Sequence, residues 1–151
     1  MPNGTDAIIS IHPTHAEAIL AGTKTIELRR RIPNLPSGTK LWIYATRPTA
    51  AIIGVATITD VARAHPKTIW KRHRNGAGVD HDSFKEYFNG SQEAVAIFLD
   101  AVERVGPVTI EQLRDIRDGF HPPQVMTVLT TVEAKALKKL AINRTSNPAT
   151  K

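Results

Sequence analysis

Apolar positions recur along this chain with two periods, one of strands and one of helices, and the alternation divides it into about ten short elements. Ala7 to Ile11 is an apolar run of strand length, broken by His12-Pro13. Ala16, Ile19 and Leu20 then recur at helical spacing, predicting a helix over about 14–21 that Thr14 or Pro13 opens and Gly22 ends. Lys24 to Arg29 reads as the next strand. Its alternation puts Thr25, Glu27 and Arg29 on one face and Lys24, Ile26, Leu28 and Arg30 on the other. Asn34 to Gly38 is a proline-bearing turn, followed by a strand over Lys40–Ala45 in which Leu41, Ile43 and Ala45 oppose Trp42 and Tyr44. Ala50 to Val61 is a long β-branched strand, and Gly54 inside it predicts a bulge or a close backbone approach.

The second half is less regular. Pro66 to Arg72 predicts a short helix, and Arg72 to Gly78 a basic, flexible loop. Asp82 is expected to cap a helix from Ser83 to Phe88, closed by Asn89-Gly90. Ala94 to Val105 reads as a strand ended by a Gly106-Pro107 turn, and Thr109 with Gln112 forms a capping box for a helix through Arg117. Val125 to Leu129 is the last predicted strand, and Thr130 or Thr131 opens a helix ending near Leu140. The expected organisation is a leader over 1–6, one domain over 7–142 and a flexible polar tail over 143–151. About five strands with helices between and beside them predict an α+β fold built on a small mixed or closed sheet, with spacing too irregular for repeats.

Composition narrows the chemistry. The chain has no cysteine, which removes disulfides, thiolate catalysis and cysteine-ligated zinc and is compatible with a reducing compartment. With no secretory pattern at the start and no apolar run of membrane-spanning length, a cytoplasmic protein without a membrane partner is expected. The net charge of +6 is unevenly spread. Residues 1–79 hold eleven basic and four acidic side chains, residues 80–130 four basic and nine acidic. A basic half favours phosphate backbones, anionic nucleotides or an acidic protein.

The densest chemistry lies in Gly22–Arg31, where Lys24, Arg29, Arg30 and Arg31 surround Glu27. Glu27 and Arg29, two apart on one strand face, are close enough to act together on a polar ligand, although an exposed pair of this kind is ordinarily a weak ion pair. If the protein is an enzyme, Lys24 and Glu27 are the candidates to move protons. Arg29 has the planar fork that fits a phosphate or base edge, and Arg30 extends a basic rim. Tyr44 or Trp42 would offer a stacking face, Arg47 would edge the same cleft, and His12 ends the first strand as a further ligand-binding candidate. Lys71, Arg72 and Arg74 make a candidate clamp for a phosphate backbone. The six histidines are scattered without zinc-like spacing, the glycines at 76 and 78 lack the rest of a P-loop, and Ser83 has no triad partners, so neither metal nor cofactor is expected.

The pattern Gly-x-Lys-x-x-Glu-x-Arg carried by Gly22, Lys24, Glu27 and Arg29 resembles the ASCH family, a branch of the PUA-like superfold. Leu41-Trp42-Ile43-Tyr44-Ala45, Pro48, Ile52-Ile53-Gly54, and more weakly Tyr87-Phe88 with Gly90 and Pro122-Pro123-Gln124, extend the resemblance over roughly 7–130. It implies a small mixed β-barrel of five or six strands with flanking helices and a cleft suited to RNA or a modified nucleoside. Some similar proteins are amidohydrolases of N4-acetylcytidine, whose motif has a lysine at Lys24, an arginine at Arg29 and its nucleophilic threonine at the position of Glu27. A carboxylate there does not continue that mechanism. The leading expectation is recognition of RNA or a nucleotide through a basic cleft, with DNA as a further possible partner. The alternatives are a hydrolase of RNA or a modified nucleoside, and a protein-interaction domain.

Overall fold

The computed structural model describes residues 4–145, with side chains through Ala141. In chain order the elements are β1 (Asp6–Ile11), α1 (Pro13–Ala21), β2 (Ile26–Arg29), β3 (Lys40–Ala45), β4 (Ala51–Ala64), α2 (Pro66–Ala77), α3 (His81–Tyr87), β5 (Ala94–Thr109), α4 (Ile110–Ile116), β6 (Met126–Val128) and α5 (Thr131–Thr145). The strands form one curled half-barrel sheet in the order β2-β5-β4-β3-β1-β6, antiparallel except where β1 runs parallel to β3. This is the expected α+β PUA-like architecture. The sheet leaves β2 and β6 as its two edges.

Three apolar clusters hold it together. Ile9, Leu41, Ile43, Ile58 and Ile97 pack on one face of the sheet, beneath Ala16 and Ile19 of α1. Trp42, Tyr44, Ile52 and Val108 turn the opposite way, under Leu113 of α4 and Leu137 of α5. Ile26, Leu28 and Ala96 meet Ile69 and Ala77 of α2 and Phe84 and Phe88 of α3. The predicted opposition of Leu41, Ile43 and Ala45 to Trp42 and Tyr44 is therefore a division between two cores. Gly54 marks both a register shift and a close approach, since a Cβ there would stand 2.6 Å from Cδ2 of Leu20.

Local chemistry explains the boundaries that differ from expectation. The predicted loop 72–78 is the last part of α2: Ile69, His73 and Ala77 are four apart and form its inward stripe, and the helix continues through Gly76 to a left-handed cap at Gly78. Gly106-Pro107 is no turn; β5 runs through it, with three residues between Arg104 and Val108 set against the single Ile53 of β4, a bulge that accommodates the proline. Asp80, and not Asp82, caps α3 by accepting from the Ser83 amide at 2.7 Å. The capping box at Thr109 and Gln112 is as expected. Strand β1 already begins at Asp6, within the predicted leader, and α5 continues through residues 143–145 of the predicted tail; residues 1–3 and 146–151 lie outside the described residues. None of the described helices is long and apolar enough to cross a membrane.

One ion pair ties α5 to the sheet. Arg117 donates to both carboxylate oxygens of Glu133, at 2.9 and 2.8 Å, and also to Thr127 and the Val128 carbonyl. Hydrogen bonding from Arg117, with help from the Thr130 amide, holds the Glu133 carboxyl at about 2, down from 4.5. Because the folded value lies below the unfolded one, this stabilisation is present above pH 4.5 and is lost as pH falls through 2. Replacing Glu133 with glutamine is expected to lower stability at pH 7 by about 1–2 kcal/mol at this partly solvated pair. It should also flatten the loss between pH 4.5 and 2 in urea titrations across pH.

Candidate active site

The curl of the sheet brings its two edges within reach of one side chain. Arg29 on β2 donates from Nη2 to the Ser10 carbonyl of β1 at 2.6 Å and from Nη1 to the Gln124 carbonyl just before β6 at 3.4 Å. Its Nε donates to Oε2 of Glu27 at 2.9 Å. Lys24 completes the cluster, with Nζ 3.7 Å from Oε1 of Glu27 and donating to the Ala77 carbonyl at the end of α2. Lys24 is 3% exposed, Glu27 6%, and the Arg29 side chain 14%. Burying three charges is costly unless each is paired, and here one carboxylate serves two cations. Burial pushes the Lys24 ammonium down from its usual value, against the opposing pull of Glu27.

The meeting of Lys24 with Glu27 corrects the predicted alternation, which set them on opposite faces. The Lys24 amide is bonded to the Ala18 carbonyl and the Thr25 amide to the Gly76 carbonyl, so the ladder, and with it the alternation, starts only at Ile26. Gly78 makes room for this bend, since a Cβ there would lie 2.8 Å from Cβ and Cγ of Lys24.

Two histidines and a serine border the cluster. His12 caps α1, its Nδ1 accepting from the Thr14 amide at 3.2 Å, which fixes its proton on Nε2. His15, half-buried in the first turn of α1, stands edge to face with it at 6.2 Å between ring centres. The charges of Lys24 and Glu27 both act on His15. Burial, Lys24 and His12 lower its proton affinity while Glu27 raises it, and the net direction is down. The Ser10 hydroxyl, at the end of β1, is buried without a hydrogen-bond partner. Sequence reading missed His15 and Ser10. The three-residue spacing of His12 and His15 across the start of a predicted helix was the available signal for His15. Nothing in the sequence marked Ser10.

The remaining predicted residues are dispersed. Tyr44 is 1% exposed and packs against Phe120, so it presents no face for stacking, and Trp42 is buried with its Nε1 donating to Asp6 at 2.8 Å. Both rings point into the core roofed by α4 and α5, which the strand pattern alone did not reveal. Burial raises the Tyr44 hydroxyl above its usual value, opposed by the charges of Arg114 and Arg47. Arg47 is exposed in the turn after β3. Arg30 lies over the Tyr87 ring at 4.5 Å and donates to the Tyr87 carbonyl, on the α3 side. Lys71, Arg72 and Arg74 are exposed on α2, with Lys71 on the helix as expected and Arg74 on it where a loop was expected. Among the described residues, no three side chains of histidine, cysteine, aspartate or glutamate converge to hold a metal ion.

The chain matches the sequence model of the ASCH domain over residues 9–116. It is 36% identical, over 140 residues, to the ASCH domain-containing ribonuclease of Zymomonas mobilis subsp. mobilis, a match covering 93% of this chain and 95% of the relative. The fold is similar to the crystal structure of ASCH from Zymomonas mobilis, with a TM-score of 0.87, 37% identity, and coverage of 89% of this chain and 94% of that one. It is more distantly similar to the N-terminal domain of Staphylothermus marinus McrB, at a TM-score of 0.56 and 14% identity over 89% of this chain and 93% of that one, a likeness of fold alone.

Proposed function

The chain belongs to the ASCH domain family, and from that membership we propose that it binds RNA and cleaves it. The observation that carries this reading is the buried Lys24–Glu27–Arg29 cluster with His12 and His15 at its border. Ionisable groups collected at one place, two of them with shifted proton affinities, are what acid–base chemistry on a phosphodiester requires. The likeness to a relative named as a ribonuclease, spanning nearly the whole of both chains, points to RNA as the polymer.

In this reading Glu27 is the organiser. It keeps Arg29 at the seam between the sheet edges and balances Lys24, and the excess positive charge of the trio faces an incoming phosphate. His12 donates from Nε2, and the α2 cations Lys71, Arg72 and Arg74, on the helix whose last carbonyls meet Lys24 and Thr25, collect the strand. Removal of an acyl group from a base is the weaker alternative, because Glu27 stands where that chemistry places a hydroxyl nucleophile and is already bonded to Arg29.

The test is incubation of the purified protein with single-stranded RNA, structured RNA and matched DNA across a salt series, with product analysis by gel. Cleavage of RNA is expected, with Lys24→Ala and Arg29→Ala each reducing turnover at least tenfold. Neither binding nor cleavage of any RNA would refute the reading.

A further inference from the structure

We propose that His15 is the general base of the cleavage, so that the nucleophile is the substrate's own 2′-hydroxyl and the products end in a 2′,3′-cyclic phosphate and a 5′-hydroxyl. The inference rests on the RNA-cleaving reading above and names its reaction.

The assignment follows from what each group in the cluster is already doing. Glu27 is already engaged through both oxygens, by Arg29 at 2.9 Å and by Lys24 at 3.7 Å. The Lys24 ammonium is turned inward onto the Ala77 carbonyl and Glu27. Arg29 acts as a donor throughout, to Glu27, the Ser10 carbonyl and the Gln124 carbonyl. His12 uses Nδ1 to cap α1, so its other ring nitrogen, Nε2, is the protonated one, a donor suited to a non-bridging phosphate oxygen. His15 remains. Its ring nitrogens make no hydrogen bond within the described residues, its ring is half-buried beside His12, and it sits at the first turn of α1.

The surroundings keep that ring neutral and ready. Burial, the Lys24 charge and His12 all disfavour its protonated form, and Glu27 is the one opposing group. The positive end of the α1 dipole acts in the same direction as the first three. A neutral imidazole near pH 7 is the form a general base needs.

The step balances without a co-reactant. His15 takes the proton of the 2′-hydroxyl, the 2′ oxygen forms a bond to phosphorus, and the bond from phosphorus to the 5′ oxygen breaks. The departing 5′ oxygen takes a proton from water, and His15 returns its proton to solvent. Arg29 and His12 hold the non-bridging oxygens as charge builds on them.

The experiment uses a short RNA cleaved by the intact protein and the same oligonucleotide with a single 2′-deoxy residue at the cleaved position, with product ends read by mass spectrometry. Cyclic phosphate ends, resistance of the deoxy oligonucleotide, and a loss of about 10²-fold or more in His15→Ala are expected. Added imidazole should restore part of the His15→Ala activity, which a merely structural role would not allow. Products with 5′-phosphate ends, or cleavage of the deoxy oligonucleotide, would overturn the 2′-hydroxyl mechanism while leaving RNA cleavage intact. Cyclic ends with undiminished activity in His15→Ala would overturn the role of His15. Absence of RNA cleavage by the unaltered protein would overturn both this inference and the reading beneath it.

Discussion

Replacing Glu27 with alanine is expected to destabilise the protein by about 3–5 kcal/mol, because it leaves two buried cations facing one another. Lys24 and Arg29 are 3% exposed as a residue and 14% as a side chain, and Glu27 is the carboxylate partner of both. For a chain of this length, a loss of that size lowers the melting temperature by roughly 10 °C. Glu27→Gln separates stability from chemistry. Its amide oxygen still accepts from Arg29, so it should keep more of the fold, yet its amide nitrogen faces Lys24 with the wrong polarity. RNA cleavage is therefore expected to fall at least tenfold in Glu27→Gln, with the protein still folded at 25 °C by circular dichroism. A shift in melting temperature of under 2 °C for Glu27→Ala would show that the carboxylate does not hold the two cations together.

That expectation turns on a contact that local sequence rules missed. Alternation within a strand assumes that the ladder is continuous, and between Lys24 and Ile26 it is not: tertiary bonds from the Lys24 and Thr25 amides to Ala18 and Gly76 displace the chain before pairing starts. The elements with strong local causes were legible. Pro13 opened α1, although His12 and not Thr14 is its cap, Gly22 closed it, and Thr109 with Gln112 capped α4. The Lys24, Glu27 and Arg29 pattern also marked the cluster. What sequence left hidden depended on partners far along the chain. Tyr44 reads equally as a cleft ring or a core ring until α4 and α5 are seen to cover it. Gly76 looked like a loop residue, but its close fit against Thr25 lets the helix pass through it: a Cβ there would stand 2.3 Å from the Thr25 hydroxyl oxygen. His15 stands out only once the charges of Lys24 and Glu27 are seen to act on it from later in the chain.

The continuation of α2 through Gly76 also converts a scatter of charges into an ordered array, with a large expected effect on affinity for polymer. Lys67, Lys71 and Arg74, at i, i+4 and i+7, share one exposed stripe, with Arg72 beside it. Like charges four apart on a helix cost a few tenths of a kcal/mol, so the stripe is not there for the stability of the helix. Its lower end reaches the site, where the Ala77 carbonyl accepts from Lys24 and the Gly76 carbonyl from the Thr25 amide. From Arg74 the stripe extends about 10 Å to Lys67, a direction in which a strand leaving the site would keep its phosphates beside cations. Changing Lys67, Lys71, Arg72 and Arg74 together to glutamine should reduce the slope of log affinity against log salt by about 2–3 for single-stranded RNA. At 0.1 M salt the corresponding loss of affinity is on the order of 10²-fold. Stability should change little, since all four side chains are solvated. Cleavage of a dinucleotide too short to reach α2 should proceed at the unaltered rate, which distinguishes a strand-holding surface from a part of the reacting site. An unchanged salt slope would mean that α2 is only a solvated face and that the strand leaves the site in another direction.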